Sequence, residues 1–367
     1  MKRITILLLG ALTCLSVACR EKEASDSKPT HSEIMGAPAL DKGSDQLQQT
    51  EFTAYLDFPI TSGKNLIWCA TMQLAWNELI DKCGEIPKGG PRIVQELNRG
   101  IVTKSDLDDS SYVAVVGETA EGVVRRTQRE LETKFHEQAS PELLNEDLPK
   151  GLVAYSYLFK DLSFLNHFLR FNSPMEFLGF QALAFGFSAA RNAEEQQAAA
   201  QVTVYDYRNS DDFVVEIKTR SSGDRLILAK VHPDSTLHQT IAQVAHRLLT
   251  KGMPPQTEMR MEIPLIDFRL LKDYDELVGL RTCGANPIVL AQQMIRFKLD
   301  EKGAKLKSEA VADIASADVE DHSPPQLIFD KPFLVIMERQ GRPHPYFALW
   351  IDNSELLVPF VEEKPKQ

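Results

Sequence analysis

The sequence has the residue types that do chemistry, but not in spacings that commit them to it. It contains no Gly-x-Ser-x-Gly elbow, no His-Glu-x-x-His helix, no Cys-x-x-Cys pair and no phosphate loop ending in Gly-Lys-Ser/Thr. The eight histidines are scattered. His238 and His246 are spaced to share a helix face, but two histidines without a third ligand read as surface residues rather than a metal site. Carboxylates are plentiful and none is marked as half of an acid–base pair, so no catalysis, metal or cofactor is expected. The informative pattern is in the polypeptide after Gly303. Alternate residues of a strand face opposite sides. One set here is Ala304, Leu306, Ser308, Ala310, Ala312, Ile314 and Ser316, all apolar or small. The other is Lys305, Lys307, Glu309, Val311, Asp313, Ala315 and Ala317, which carries all the charge. Such a ribbon can bury one face without burying a lysine, which would be costly unless paired.

The elements around this ribbon are strands. Met294 to Leu299 alternates polar and apolar side chains, the period of a half-buried strand. Asp300-Glu301-Lys302-Gly303 follows, then a stretch without aromatics that ends at Pro324-Pro325. Leu327 to Met337 reads as a continuous apolar strand interrupted once by Asp330-Lys331-Pro332. Gly341-Arg342-Pro343 is a turn, and Tyr346 to Ile351 is the last strand.

This C-terminal stretch resembles the serpins. Phe329-Asp330-Lys331-Pro332-Phe333 fits the family's C-terminal signature, and Asp300-Glu301-Lys302-Gly303 falls where serpins carry the hinge of their reactive loop. The resemblance implies a suicide-substrate inhibitor of serine or cysteine proteases. The protease nucleophile attacks the scissile carbonyl of the loop and is acylated by it as the peptide bond breaks, the cut loop inserts as a new strand in the main sheet, and the distorted oxyanion hole stalls deacylation. It also implies a loop hinge at Glu301, Gly303, Ala304, Leu306 and Ser308, with the scissile bond near Ala317-Asp318. A small residue before the cut suits an elastase-like target protease. The chain departs from the pattern in three ways: Ala304 stands where Thr is usual, Leu306 where Ala is common, and Lys305 and Lys307 are unusual. Burying Leu306 would gain about 1.5–3 kcal/mol if there is room, or cost about 1–3 kcal/mol if it overpacks the sheet.

The chain has 367 residues, 43% of them hydrophobic, enough for one large core. A net charge of -11 argues against nucleic-acid binding. Residues 1–18 read as an export signal. Lys2 and Arg3 precede the apolar run Ile4 to Leu12, which is too short to span a bilayer. Leu15-Ser16-Val17-Ala18-Cys19 resembles a bacterial lipobox with Cys19 as the lipidated residue; a plain cleaved signal is the alternative, giving a periplasmic or secreted soluble protein. Residues 19–50 are polar and expected to be a flexible tether. Residues 51–360 form the serpin-like domain and 361–367 a tail. A monomer is expected, at the cell envelope, meeting the membrane only through its lipid. Cys69, Cys83 and Cys283 remain, an odd number. Placed on one helix, Cys69 and Cys83 would lie about 21 Å apart and could not bridge, so buried thiols are expected.

Along the chain, Leu66 to Cys83 reads as a buried helix capped by Gly84. Tyr112 to Val116 is a strand, and Glu118 to His136 an amphipathic helix whose basic side reads as a solvated face. Leu152 to Lys160 resembles the central strand of the serpin main sheet, with Tyr155 replacing the family's Asn. The region before it is shorter than in serpins, and one helix, with a strand beside it, is expected to be reduced or missing. Phe164 to Phe187 is aromatic core. A hairpin (Phe213 to Ile217, Arg225 to Ala229) and a helix carrying Leu237, Ile241, Val244 and Leu248 follow. The expected fold is α+β and serpin-like: a large mixed central sheet, additional sheets, surrounding helices and an exposed reactive-centre-type loop near the C-terminus.

Overall fold

The segment Leu152 to Leu158 is apolar or aromatic at nearly every position, and a strand of that kind must be covered on both faces. The computed structural model describes residues 38–84, 90–140, 143–144, 147–189, 191–282, 286–304 and 326–361, and it places this segment inside the largest sheet. That sheet holds β1 (Leu40–Gly43), β4 (Tyr112–Glu118), β5 (Leu152–Leu158), β6 (Leu162–Ser163), β15 (Ile266–Asp273), β16 (Arg281–Thr282), β17 (Asn286–Asp300) and β18 (Gly303–Ala304). A second sheet contains β2 (Thr50–Thr53), β3 (Asn65–Cys69), β11 (Val202–Asn209), β12 (Asp212–Ile217), β13 (Asp224–Lys230), β20 (Phe333–Arg339) and β21 (Pro345–Ile351). A third contains β7 (Leu169–Arg170), β10 (Ala184–Phe187), β14 (Met261–Pro264) and β19 (Leu327–Ile328), and β8 (Met175–Phe177) and β9 (Phe180–Ala182) form a ribbon. The helices are α1 (Thr71–Cys83), α2 (Arg92–Leu97), α3 (Val123–Phe135), α4 (Ala193–Ala199) and α5 (Leu237–Arg247). This is the α+β class expected, with one broad mixed sheet, smaller sheets and helices around them.

β5 pairs antiparallel with β4 and parallel with β17, so it is central. α1 covers one face of these strands through Met72, Ala75, Trp76 and Leu79, packed on Ala154 and Ala291. α3 lies over the other face, with Val123, Leu131 and Phe135 against Val153, Tyr155 and Tyr157. The main core fills the space between the main and second sheets, where Phe297 stacks on Phe347 at 4.8 Å.

Several expectations are corrected. Leu66 to Cys69 is not helical: it belongs to β3, paired with β2 and β21, and the helix begins at Thr71. An apolar run buried on both faces has no periodicity that separates strand from helix, and tertiary pairing decides it here. Residues 40–50 lie within the expected tether, yet Leu40 to Gly43 pairs with β15, Asp41 bonds Arg269, and Glu355 accepts from the backbone of Gln48 and Gln49. Their polarity is that of a sheet edge, satisfied by charged partners. Cys83 is disulfide-bonded, not a buried thiol; its partner lies outside the described residues, and Cys69 is a free, buried thiol. An odd number of cysteines forbids a complete framework but still leaves room for one bridge. Met294 to Leu299 belongs to a longer strand buried on both sides, with Arg296 and Lys298 held by Asp267 on the polar face. Leu327 to Met337 is two strands, and Asp330-Lys331-Pro332 is the step from the third sheet to the second. The amphipathic helix expected over Glu118 to His136 is α3, and it lies over the main sheet. Among the described residues, no strand pairs with the outer edge of β4. There, Lys134 donates to the Tyr112 carbonyl and Arg126 to that of Val116.

Candidate functional site: a fork in the main sheet

β17 pairs with β5 from Ile288↔Leu152 up to Ile295↔Leu158, and beyond that the two strands part. The chain turns at Glu301-Lys302 and comes back as β18, with Asp300 opposite Gly303 and Leu299 opposite Ala304. The other edge of β18 pairs with β6, Gly303 with Ser163 and Ala304 with Leu162. Two residues of the expected hinge therefore fill the fork between β17 and β6, and both are buried.

Local bonds fix this turn. The Lys302 amide donates to Asp300 Oδ1 (2.9 Å), Phe164 N donates to the Lys302 carbonyl (2.9 Å) and Phe168 N to that of Glu301 (2.8 Å). Gly303 has φ +154°, and a Cβ there would meet backbone of Leu162, Ser163 and Phe164. Only glycine fits so close an approach. Asp300 is buried, and that burial, with Glu301 nearby, raises its carboxyl above the usual range. Lys298 Nζ lies 3.3 Å from Asp300 Oδ2, and Arg296 Nη1 donates to Asp267 Oδ1 at 2.5 Å.

Below the fork, the seam between β5 and β17 has two unlike faces. Toward α1 it presents Ala154, Ser156, Ala291 and Gln293. Buried Gln293 donates to the Cys69 carbonyl (3.2 Å) and Thr71 Oγ1 (2.8 Å) and accepts from Tyr274 (2.8 Å). Toward α3, Tyr155 and Tyr157 sit opposite Gln292 and Met294. The chain leaving α3 crosses this face, where Ser140 Oγ donates to Gln292 Oε1. Beside it lies a cleft of about 640 Å³, lined by Asp41, Lys42, Glu137, Arg269 and Met294 among others.

The far end of the ribbon is also held. β19 runs parallel to β14, and Tyr207 exchanges hydrogen bonds with Gln326. Lys230, buried at the end of β13, donates to the carbonyls of Ser210 (2.9 Å) and Ile328 (3.0 Å) and to Asp330 Oδ1 (2.5 Å). Lys331 bonds Asp211 at 2.6 Å. Phe329 packs edge-on against Phe213 and Phe333, at 5.1 and 5.2 Å. Phe329 to Phe333 thus form a clamp that seats the chain at the step from the third sheet to the second.

Glu301, Gly303 and Ala304 are brought together at the fork, and Phe329, Asp330, Lys331, Pro332 and Phe333 at the clamp. Leu306, Ser308, Ala317, Asp318 and Cys19 lie outside the described residues. Sequence reasoning missed Gln293, Lys230 and Glu137. A lysine closing the apolar run of β13 was the one available signal for Lys230; a polar Gln inside a strand gave none for its partners.

No family model matches the chain, and no curated protein matches it. Among solved structures, it is similar to Serpin48 of the insect Tenebrio molitor, with 13% identity over 80% of this chain and 92% of that one, and a TM-score of 0.46. It is similar to serine protease inhibitor (serpin)-12 of Manduca sexta, at 13% identity over 80% and 94% of the two chains, TM-score 0.48. A thyroxine-binding globulin complexed with thyroxine is also similar, at 9% identity over 79% and 93%, TM-score 0.48.

Proposed function

We propose that the chain is a serpin-like suicide-substrate inhibitor of serine or cysteine proteases, exported and held at the cell envelope through Cys19. The observation that carries this reading is the fork. Gly303 and Ala304 already form the first rungs of a strand between β17 and β6. Below Leu158 and Ile295, the last pair before the fork, the α1 side of the seam is lined by small or polar groups, Ala154, Ser156, Ala291 and Gln293, and a ribbon with a small-residue face suits that lining. β5 and β17 are far apart in sequence and run parallel, so they can separate without breaking a hairpin.

A protease with a small specificity pocket is the target class, with cleavage near Ala317-Asp318. The test is incubation with an elastase-type serine protease followed by denaturing electrophoresis. A covalent complex that survives detergent is expected; cleavage with no complex rules out inhibition of that enzyme. Lipid at Cys19 is tested by the mass of the mature N-terminal peptide.

A second reading, a non-inhibitory protein that keeps the scaffold for binding, draws on the α3 side of the seam. Tyr155 is buried there and Gln292 is tied to the chain leaving α3, which binds the strands together. Melting temperature before and after nicking the 305–325 segment separates the two. A large rise means insertion, and no change favours the second reading.

A further inference from the structure

The cleft beside the seam has a floor and a wall of different chemistry. The floor is the α3 face of β15 and β17. Alternate pairs of their register lie on it: Arg269 with Arg296, Leu271 with Met294, and Asp273 with Gln292. Leu271 and Met294 are half-buried and make an apolar step between polar neighbours. Those neighbours are already used. Arg296 is bonded to Asp267 and to the Phe268 carbonyl, and Arg269 to Asp41. Gln292 donates to Asp273 and accepts from Ser140.

The wall is the chain that leaves α3. His136 takes the left-handed conformation, φ 55° and ψ 31°, and ends the helix. Its amide donates to the Glu132 carbonyl, and the Glu137 amide to that of Leu131, a closing pattern that fixes the backbone. Two residues on, the Ala139 amide donates to Gln128 Oε1 at 2.9 Å. Glu137 is thus pinned on both sides, and it lines the cleft together with Leu271 and Met294.

Asp41, the other carboxylate of the lining, is paired with Arg269. Glu137 is not paired: among the described residues, its carboxylate makes no hydrogen bond and no ion pair within 4.0 Å. Arg269 and Arg296 act on it only from beyond that distance. Lys42 is paired with Leu270 on β1 and alternates to the opposite face from Asp41. Glu137 is also half-buried and follows the C-terminus of α3, the negative end of the helix dipole. Both conditions disfavour a lone carboxylate and favour a cation beside it.

We propose that this cleft binds an alkylammonium group, carried by a small amine or by a lysine side chain of another protein. The ammonium pairs with Glu137, and the alkyl stem lies over Leu271 and Met294. The site bridges the wall and the floor, and it does not depend on insertion of the loop.

The test is a titration of the full chain with its methionine methyl groups isotope-labelled, near neutral pH. Butylamine, a cation under those conditions, should shift the Met294 methyl resonance saturably and leave that of Met175 in the β8–β9 ribbon unmoved. Glu137→Gln should weaken binding about tenfold, and butanol, with the same stem and no charge, should bind about tenfold more weakly than butylamine. Glu137→Asp, which keeps the charge, should keep most of the affinity. Glu137→Gln removes an unpaired charge and should melt no lower than the natural protein, so its lost response is not lost fold. A lysine derivative blocked at both backbone ends separates the sources. Binding as tight as that of butylamine means that a lysine side chain is accepted, and binding of butylamine alone means a free amine. Butanol binding as well as butylamine, Glu137→Gln binding as well as the natural protein, or a shift that never saturates overturns the proposal.

Discussion

Gly303 runs so close to β6 that a Cβ on it would lie 2.6 Å from the carbonyl oxygen of Leu162. The atoms in the way are backbone and cannot swing aside, and the positive φ is itself strained for an L-residue. Gly303→Ala should therefore lower stability by about 1–3 kcal/mol in urea unfolding. The Phe164 amide, bonded to the Lys302 carbonyl, should exchange its hydrogen faster. Unchanged exchange there would mean that β18 is not held in the fork.

Lys230 is a buried cation with every donor used. Lys230→Met should cost about 1–3 kcal/mol, because it leaves the Ser210 and Ile328 carbonyls without their donor, while Asp330 is exposed enough for water to take over. Lys331, on the same Asp211 but exposed, should be replaceable by Ala with little change in the urea midpoint. Equal effects of the two would show that the clamp is not centred on Lys230.

Burial raises the Asp300 carboxyl, so the folded state holds that proton more tightly than the unfolded chain does. Its contribution favours folding below the unfolded carboxylate pKa and is lost as pH rises through the folded value. Asp300→Asn should thus be more stable than the natural protein at pH 7 to 8. The advantage should vanish near pH 4 and below, where both forms are neutral. Thermal melts across this range check the sign.

Burial pushes the Cys69 thiol up to about 11, and it has no exposed surface. At pH 8 an alkylating reagent should leave the Cys69 peptide unmodified in the native protein and label it fully in urea. Cys83 should stay unlabelled in both until a reductant is added.

The parts of the fold that were readable carried their own local punctuation. α5 declared itself by its apolar spacing, the hairpin of β12 and β13 by its two short apolar runs, and β5 by its resemblance to a central strand of the serpin main sheet. Gly303 was readable as a hinge only through the resemblance of Asp300-Glu301-Lys302-Gly303 to a serpin loop hinge. Less readable was anything set by a distant partner. Whether Leu66 to Cys69 would be strand or helix depended on β21, and whether Leu40 to Gly43 would be ordered depended on Arg269. Gln293 and Glu137 are ordinary letters until the strands beneath them are known. The split of Leu327 to Met337 between two sheets followed from Lys230, a residue 100 positions from Asp330.

Asn65 donates to Asn353, 288 positions further along the chain, and β3 finds its neighbour in β21. During synthesis, one edge of the Leu66-Ile67-Trp68 stretch can pair with β2, but the other must wait, greasy and open, until almost the whole polypeptide has emerged. Closing so long a loop is slow, and until then the nascent chain invites aggregation. The same delay keeps the second sheet from shutting until synthesis is nearly complete.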